Sequence, residues 1–221
     1  LITLMAAGMN LQDSFGSIDI YLFDQLLQGR LNPQMKILDA GCGAGRNLVY
    51  FFRNGYEVFG VDQSKQAIAQ VQSLAAELAP KLPAANFRVE RVEAMSFADQ
   101  QFDVVLSSAV LHFARDEDQW QAMVKEMWRV LRPGGIFFAR LASTIGIQSE
   151  LEHLAGRRYH LPDGSDRFLV DEPLLVATTD SLGAHWLEPL KTVVVQHARS
   201  MSNWCLQKRQ ERIFPGAKPV G

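Results

Sequence analysis

The residues with the plainest chemistry are Gly41, Gly43 and Gly45, three glycines at alternating positions between the apolar run Ile37-Leu38-Asp39-Ala40 and a helical pattern. A strand that turns sharply into a helix while a ligand lies along its backbone needs residues without a Cβ, which reach positive φ and allow close approach. Open α/β sheets bind ligands in the crevice beyond the carboxyl ends of their strands, where the chain changes direction. A second signal follows about twenty residues on, where Val58-Phe59-Gly60-Val61 ends in Asp62. Such a carboxylate can accept both hydroxyls of a ribose. Loop and acid together predict a nucleoside-bearing ligand over Asp39 to Gly45.

Spacing then sorts the nucleosides. Dinucleotide folds use GxGxxG, whose third glycine brings the helix close to the pyrophosphate. Here the series is GxGxG and Arg46 takes the helix-side position, which weakens a pyrophosphate reading. The Walker pattern is absent as well. An NAD(P)-dependent Rossmann oxidoreductase with its dinucleotide in the same crevice stays open as the alternative.

At this point the sequence resembles the class I S-adenosylmethionine-dependent methyltransferases. Their first motif, DxGxGxG after a strand, is met by Asp39, Gly41, Gly43 and Gly45, and Asp62 falls where the family holds the ribose. Phe97 through Phe102-Asp103-Val104-Val105 falls at the fourth strand, and Arg132-Pro133-Gly134-Gly135 looks like the LxPGG turn before the fifth. Gly43-Ala44-Gly45-Arg46-Asn47 with Asn54-Gly55-Tyr56 is similar to the tellurite-resistance-type subgroup. The resemblance implies S-adenosyl-L-methionine as cofactor, with Asp39, Gly41, Cys42, Gly43, Asn47, Asp62, Gln63, Val92, Glu93 and Ser107 as its contacts, Ser107 through its backbone carbonyl. One position departs from the pattern: Arg91 stands where relatives often carry an Asp beside the adenine. Val92 and Glu93 then hold the ring, or Glu93 is a solvated loop charge.

Methyl transfer asks little of a protein, because the sulfonium already makes the methyl carbon electrophilic. The enzyme aligns donor and acceptor and excludes water. A base helps only a protonated acceptor. The candidate catalytic residue is His112, just past the fourth strand, with an ordinary pKa suited to proton removal near neutrality; the other reading is a histidine that caps or packs in the loop. Tyr159, His160, Asp163, Asp166 and Arg167 either cover the acceptor or serve turns and surface. Tyr21 closes over the donor or simply packs. A noncatalytic S-adenosylmethionine-binding partner remains a further alternative, left open by the Arg91-Val92-Glu93 loop and by the two readings of His112. No metal site is expected.

Positioning these residues requires a particular set of elements. Phe15, Ile18, Tyr21, Leu22, Leu26 and Leu27 recur at helical steps, predicting one amphipathic helix over 13–31 with Gly29 as its stop. Short β-rich runs follow at 36–40, 56–61, 86–92, 102–107 and 135–142, alternating with helical patterns, so the strands run parallel through crossover helices. Ser64 and Asp116 are the N-cap candidates, with Pro80 and Pro133-Gly134-Gly135 as stops. Past Ser143 the rhythm breaks, predicting an insertion or cover over 143–185 without a domain of its own. The runs at 191–196 and 202–207 should pair antiparallel. The expected fold is α/β: a Rossmann-like, doubly wound, seven-stranded, mostly parallel sheet with an antiparallel last strand. It forms a single domain over 36–212, preceded by a helical segment (1–35) and followed by a tail (213–221).

With 221 residues, 48% of them hydrophobic, the chain can bury one substantial core. A net charge of -2 and the lone Arg157-Arg158 pair argue against nucleic acid. Small-molecule acceptors lead for that reason, while the oligomeric state leaves no trace. Cys42 and Cys205 have neither disulfide nor zinc spacing, which suits a reducing, cytoplasmic setting. No apolar run reaches the roughly 18 residues of a membrane span, and Leu1 to Gly8 lack a charged lead, so neither insertion nor export is expected.

Overall fold

The computed structural model describes residues 10–210; the tail expected at 213–221 lies outside them. The helix expected over 13–31 divides into α1 (Leu11–Phe15) and α2 (Ile20–Leu27). The break sits at Gly16, at φ 60°, where a Cβ would lie 2.7 Å from Val49 Cγ2. Asp19 then restarts the helix as N-cap, its Oδ1 accepting the Tyr21 N–H at 3.0 Å.

Five strands form the parallel part of the sheet: β1 (Lys36–Ala40), β2 (Glu57–Asp62), β3 (Phe87–Val89), β4 (Phe102–Ser108) and β5 (Leu131–Ala142). Between them run α3 (Val49–Arg53), α4 (Lys65–Leu78) and α5 (Glu117–Val130). Ser64 and Asp116 cap α4 and α5 as their side-chain chemistry predicts. Strand β5 opens earlier than expected, at Leu131. Its register against β4 skips from Leu131 to Ile136, so Arg132-Pro133-Gly134-Gly135 is accommodated as an irregularity within the strand.

Past β5 comes a separate three-stranded antiparallel sheet, β6 (Glu152–Ala155), β7 (Arg158–His160) and β8 (Asp166–Phe168). The chain returns through α6 (Glu172–Ser181), whose Leu174 and Leu175 enter the main core. Three strands follow: β9 (Ala184–Trp186), β10 (Lys191–Val195) and β11 (Arg199–Lys208). The main sheet has the order β10-β11-β5-β4-β1-β2-β3, and β9 adds an unexpected eighth strand beside β11. The last strand, β11, is antiparallel to both β5 and β10.

Two apolar cores cover the two faces, as a doubly wound sheet requires. Leu38, Ala40, Val105, Phe137 and Trp204 meet α5 and α6 on one side. Ile37, Val58, Leu106, Phe138 and Cys205 meet α2, α3 and α4 on the other. Strands β1, β2, β4 and β5 are thereby packed on both faces, while the edge strand β3 buries only Phe87. Among the described residues no helix is long and apolar enough to cross a membrane.

Candidate functional site

The site is built on the carboxyl ends of β1, β2 and β4. After Ala40 the chain turns at Gly41, at φ 86°, where a Cβ would lie 2.4 Å from Val110 Cγ2. The N–H groups of Gly41 and Cys42 donate to Val61 O at 2.8 and 2.9 Å, drawing the loop across to β2. Gly43 N–H donates to Asp62 Oδ2 at 3.0 Å, and Asp62 Oδ1 accepts the Ser64 N–H at 2.8 Å. A carboxylate oxygen has two lone pairs. Asp62 therefore keeps one acceptor position on each oxygen.

These ends enclose a cleft of about 670 Å³, within the range of small-ligand sites. Gly41, Cys42, Gly43, Ala44, Arg46 and Asn47 form its floor, and Asp62 with Gln63 forms one edge. Arg91, Val92 and Glu93 close the end beside β3; Ser108, Ala109, Val110 and Phe113 form the far wall with Gln119 and Met123 of α5. The structure thus brings together Gly41, Cys42, Gly43, Asn47, Asp62, Gln63, Val92 and Glu93. Glu93 Oε1 accepts from Arg91 Nε at 2.8 Å and from Gln119 Nε2 at 2.9 Å. Partial burial works to raise the Glu93 pKa, but hydrogen bonds from its own N–H, Gln119 and Arg91 hold it below the usual carboxylate range. Burial pushes the Cys42 thiol up, so a cleft-lining sulfur stays protonated.

Asp39, Ser107 and His112 do not line the cleft. Asp39 is buried within β1, two residues before Gly41, and its Oδ2 has no partner among the described residues. Burial, reinforced by Asp62 and opposed by Arg46, pushes its pKa up to about 7. Ser107 is fully buried with its hydroxyl unpartnered, and its neighbour Ser108 faces the cleft instead. His112 is buried, and its Nδ1 accepts the Ala142 N–H at 3.3 Å. Burial, aided by the Arg167 charge, lowers its pKa to about 4. A neutral imidazole bound this way ties the turn 111–113 to β5, and the base role expected of it has no geometry behind it here.

Asp19, Ser108 and Arg140, overlooked in the sequence, meet Arg46 and Asn47 beside the cleft. Ser108 Oγ accepts from Arg46 Nη2 at 3.2 Å and donates to Asp19 Oδ2 at 3.3 Å. Arg140 Nη1 donates to the same Asp19 oxygen at 2.7 Å, and Asp19 N–H donates to Asn47 Oδ1 at 3.0 Å. Asp19 and Arg140 are 121 residues apart, so no local spacing joins them. Asp19 itself lay inside the helix expected over 13–31, and its cap role emerges only with the break at Gly16.

Glycine loop, ribose-competent acid and a cleft at the strand ends define a Rossmann-like nucleoside-binding α/β domain. The free acceptor positions on Asp62, at the edge of the cleft, fit a ligand carrying a ribose. Residues 38–139 match the family described as "Methyltransferase domain". A malonyl-[acyl-carrier protein] O-methyltransferase of Enterobacter lignolyticus is 34% identical over 158 residues, 70% of this chain and 57% of that protein. A solved S-adenosylmethionine-dependent methyltransferase of Methanosarcina mazei superposes with a TM-score of 0.70 at 22% identity, covering 84% of this chain and 98% of that one. Burkholderia thailandensis 1,6-didemethyltoxoflavin-N1-methyltransferase, solved with 1,6-didemethyltoxoflavin and S-adenosylhomocysteine, gives 0.67 at 20% identity, over 89% and 80%. At those identities the structures speak for the fold. The chain spans about half the length of the curated relatives it matches. It is residues 38–139 that match the methyltransferase domain family, and the solved neighbours that share the fold include S-adenosylmethionine-dependent methyltransferases.

Proposed function

We propose that the protein transfers the methyl group of S-adenosylmethionine, held in the cleft over Gly41 to Asn47, to an acceptor of small-molecule size. The observation that carries this reading is the Gly43–Asp62 bridge, which holds the acid of β2 against the glycine loop with acceptor positions to spare. When bound, the cofactor supplies an electrophilic methyl carbon. The chain's own part is binding and alignment: Asp62 accepts from the ribose hydroxyls, Val92 packs on the adenine and Glu93 accepts from its amine.

No side chain in the cleft needs to remove a proton if the acceptor atom arrives without one, and alignment with exclusion of water then supplies the rate. A small acceptor is supported by the size of the cleft and by the neighbour solved with 1,6-didemethyltoxoflavin, while the relative named for malonyl-[acyl-carrier protein] points to a carrier-linked one. A reducing, cytoplasmic setting accompanies this reading, supported by the two buried free thiols, Cys42 and Cys205.

Calorimetric titration with S-adenosylhomocysteine, run beside fluorescence titration with NADH, tests the assignment. Saturable heat from the first and no binding of the second is the expected result; tight NADH binding with a silent S-adenosylhomocysteine titration would make the protein an oxidoreductase.

A further inference from the structure

Beside the cleft a row of side chains crosses four strands. Ser108 of β4 pairs with Arg140 of β5, Arg140 with Asn203 of β11, and Asn203 with Lys191 of β10. Residues opposite one another in a sheet share a face. This face is the one that α2 covers: Asp19 reaches Arg140 and Ser108, and Asp24 reaches Lys191 at 3.3 Å.

The row is incompletely satisfied. Arg140 uses Nη1 on Asp19, while its buried Nε has no partner among the described residues. Asn203 is 1% exposed, and neither Oδ1 nor Nδ2 has a partner there. Buried polar groups left so are rare in folded proteins and ask for an explanation. A guanidinium fork matches a carboxylate through two parallel N–H donors. Asp19, tethered to the helix as its N-cap, occupies that fork through one nitrogen only.

We propose that Asp19 sits in the seat of the acceptor's own carboxylate, and that the acceptor is a small carboxylate-bearing molecule which displaces Asp19 from Arg140. This rests on the methyltransferase reading above and specifies the substrate class of the same site. A carboxylate free of the helix cap can turn to take the parallel Nη1 and Nη2 donors of Arg140 as a fork and to accept from Asn203 Nδ2. The seat adjoins the donor, since Asp19 Oδ2 lies 3.3 Å from the hydroxyl of cleft-lining Ser108. Asp19 stands at the helix end beside the α1–α2 break, next to 63%-exposed Ile20, so releasing it leaves the fully buried Leu22 in place.

The test is calorimetric titration of wild type and Asp19→Ala with acetate, malonate, benzoate and octanoate, each against its neutral amide, with and without saturating S-adenosylhomocysteine. At least one acid should bind Asp19→Ala tenfold or more tightly than wild type, with no matching gain for its amide. Asn203→Leu added to Asp19→Ala should then weaken that acid at least fivefold, at unchanged Tm and S-adenosylhomocysteine affinity. If Asp19→Ala does not fold, Asp19→Asn retains the helix cap and should shift acid binding in the same direction. Acids that bind no better than their amides in either protein, or a fall in Tm with no gain in acid binding, would make the Asp19–Arg140 pair a structural tie and overturn the proposal. Failure of S-adenosylhomocysteine to bind at all is read separately and strikes the methyltransferase reading itself.

Discussion

Gly43 and Asp62 are joined by a 3.0 Å hydrogen bond from the loop after β1 to the carboxylate ending β2, and the same carboxylate holds the Ser64 N–H that opens α4. Loop, acid and helix start are thereby fixed in one arrangement before a ligand arrives. Preorganisation of this kind lets ligand hydrogen bonds contribute without an ordering cost.

Asp62→Ala should therefore weaken S-adenosylhomocysteine binding by about 1 to 3 kcal/mol, the usual loss for charge-assisted hydrogen bonds. Calorimetry on a variant with wild-type circular dichroism reads the loss. Unchanged affinity would remove the acid from the site.

The turn at Gly41 is intolerant for two separable reasons. A side chain there must adopt φ 86° and must also displace Val110, a β-branched residue with little rotameric freedom. Gly41→Ala should cost about 2 to 5 kcal/mol of stability in urea unfolding, the sum of backbone strain and overpacking. Adding Val110→Ala should recover the overpacking share and leave the strain. Full additivity of the two substitutions would contradict the contact.

Asp39 and His112 give stability two opposite dependences on pH. Asp39 has its pKa pushed up to about 7 by burial, so in the folded state it holds a proton that the unfolded chain releases near pH 4. Its contribution is complete below that pH and is lost as pH rises to about 7, by on the order of 4 kcal/mol. His112, lowered to about 4 by burial and Arg167, works the other way: its contribution is present above pH 6.5 and is lost as pH falls toward 4, by on the order of 3 kcal/mol. The stability of Asp39→Asn relative to wild type should rise from pH 4 to 7, and that of His112→Gln should fall from pH 4 to 6.5. A flat difference curve for either variant would show that its group titrates normally.

At the adenine end, Arg91 touches the cleft and holds Glu93, while Glu93 is also held by Gln119 from α5. Glu93→Ala should weaken S-adenosylhomocysteine by about 0.5 to 1.5 kcal/mol, the value of an ordinary hydrogen bond. Arg91→Ala should cost less, because Gln119 still positions the carboxylate. The reverse ranking would place Arg91, rather than Glu93, on the ligand.

What the sequence made legible was whatever short-range pattern controls. Strand β1 has its expected bounds because an apolar run ends abruptly in glycine, and α4 and α5 begin after the side chains that cap them. The break between α1 and α2 was hidden because Phe15, Ile18 and Leu22 keep a helical spacing across it, while its cause, the close approach of Val49 to Gly16, is long-range. The sheet of β6, β7 and β8 gave no alternating signal because every residue of β6 is exposed. Arg140 and Asn203 looked like ordinary strand residues; only pairing of β5 with β11 sets them side by side beneath Asp19. For His112, position after the fourth strand was readable, but the Ala142 N–H that claims its Nδ1 was not.

The central claim is most directly tested by a crystal structure of the protein with S-adenosylhomocysteine. The account predicts the nucleoside over Gly41 to Asn47, both ribose hydroxyls within hydrogen-bond distance of Asp62, and the adenine between Val92 and Glu93. A nucleoside found elsewhere, or a ribose turned away from Asp62, would contradict it.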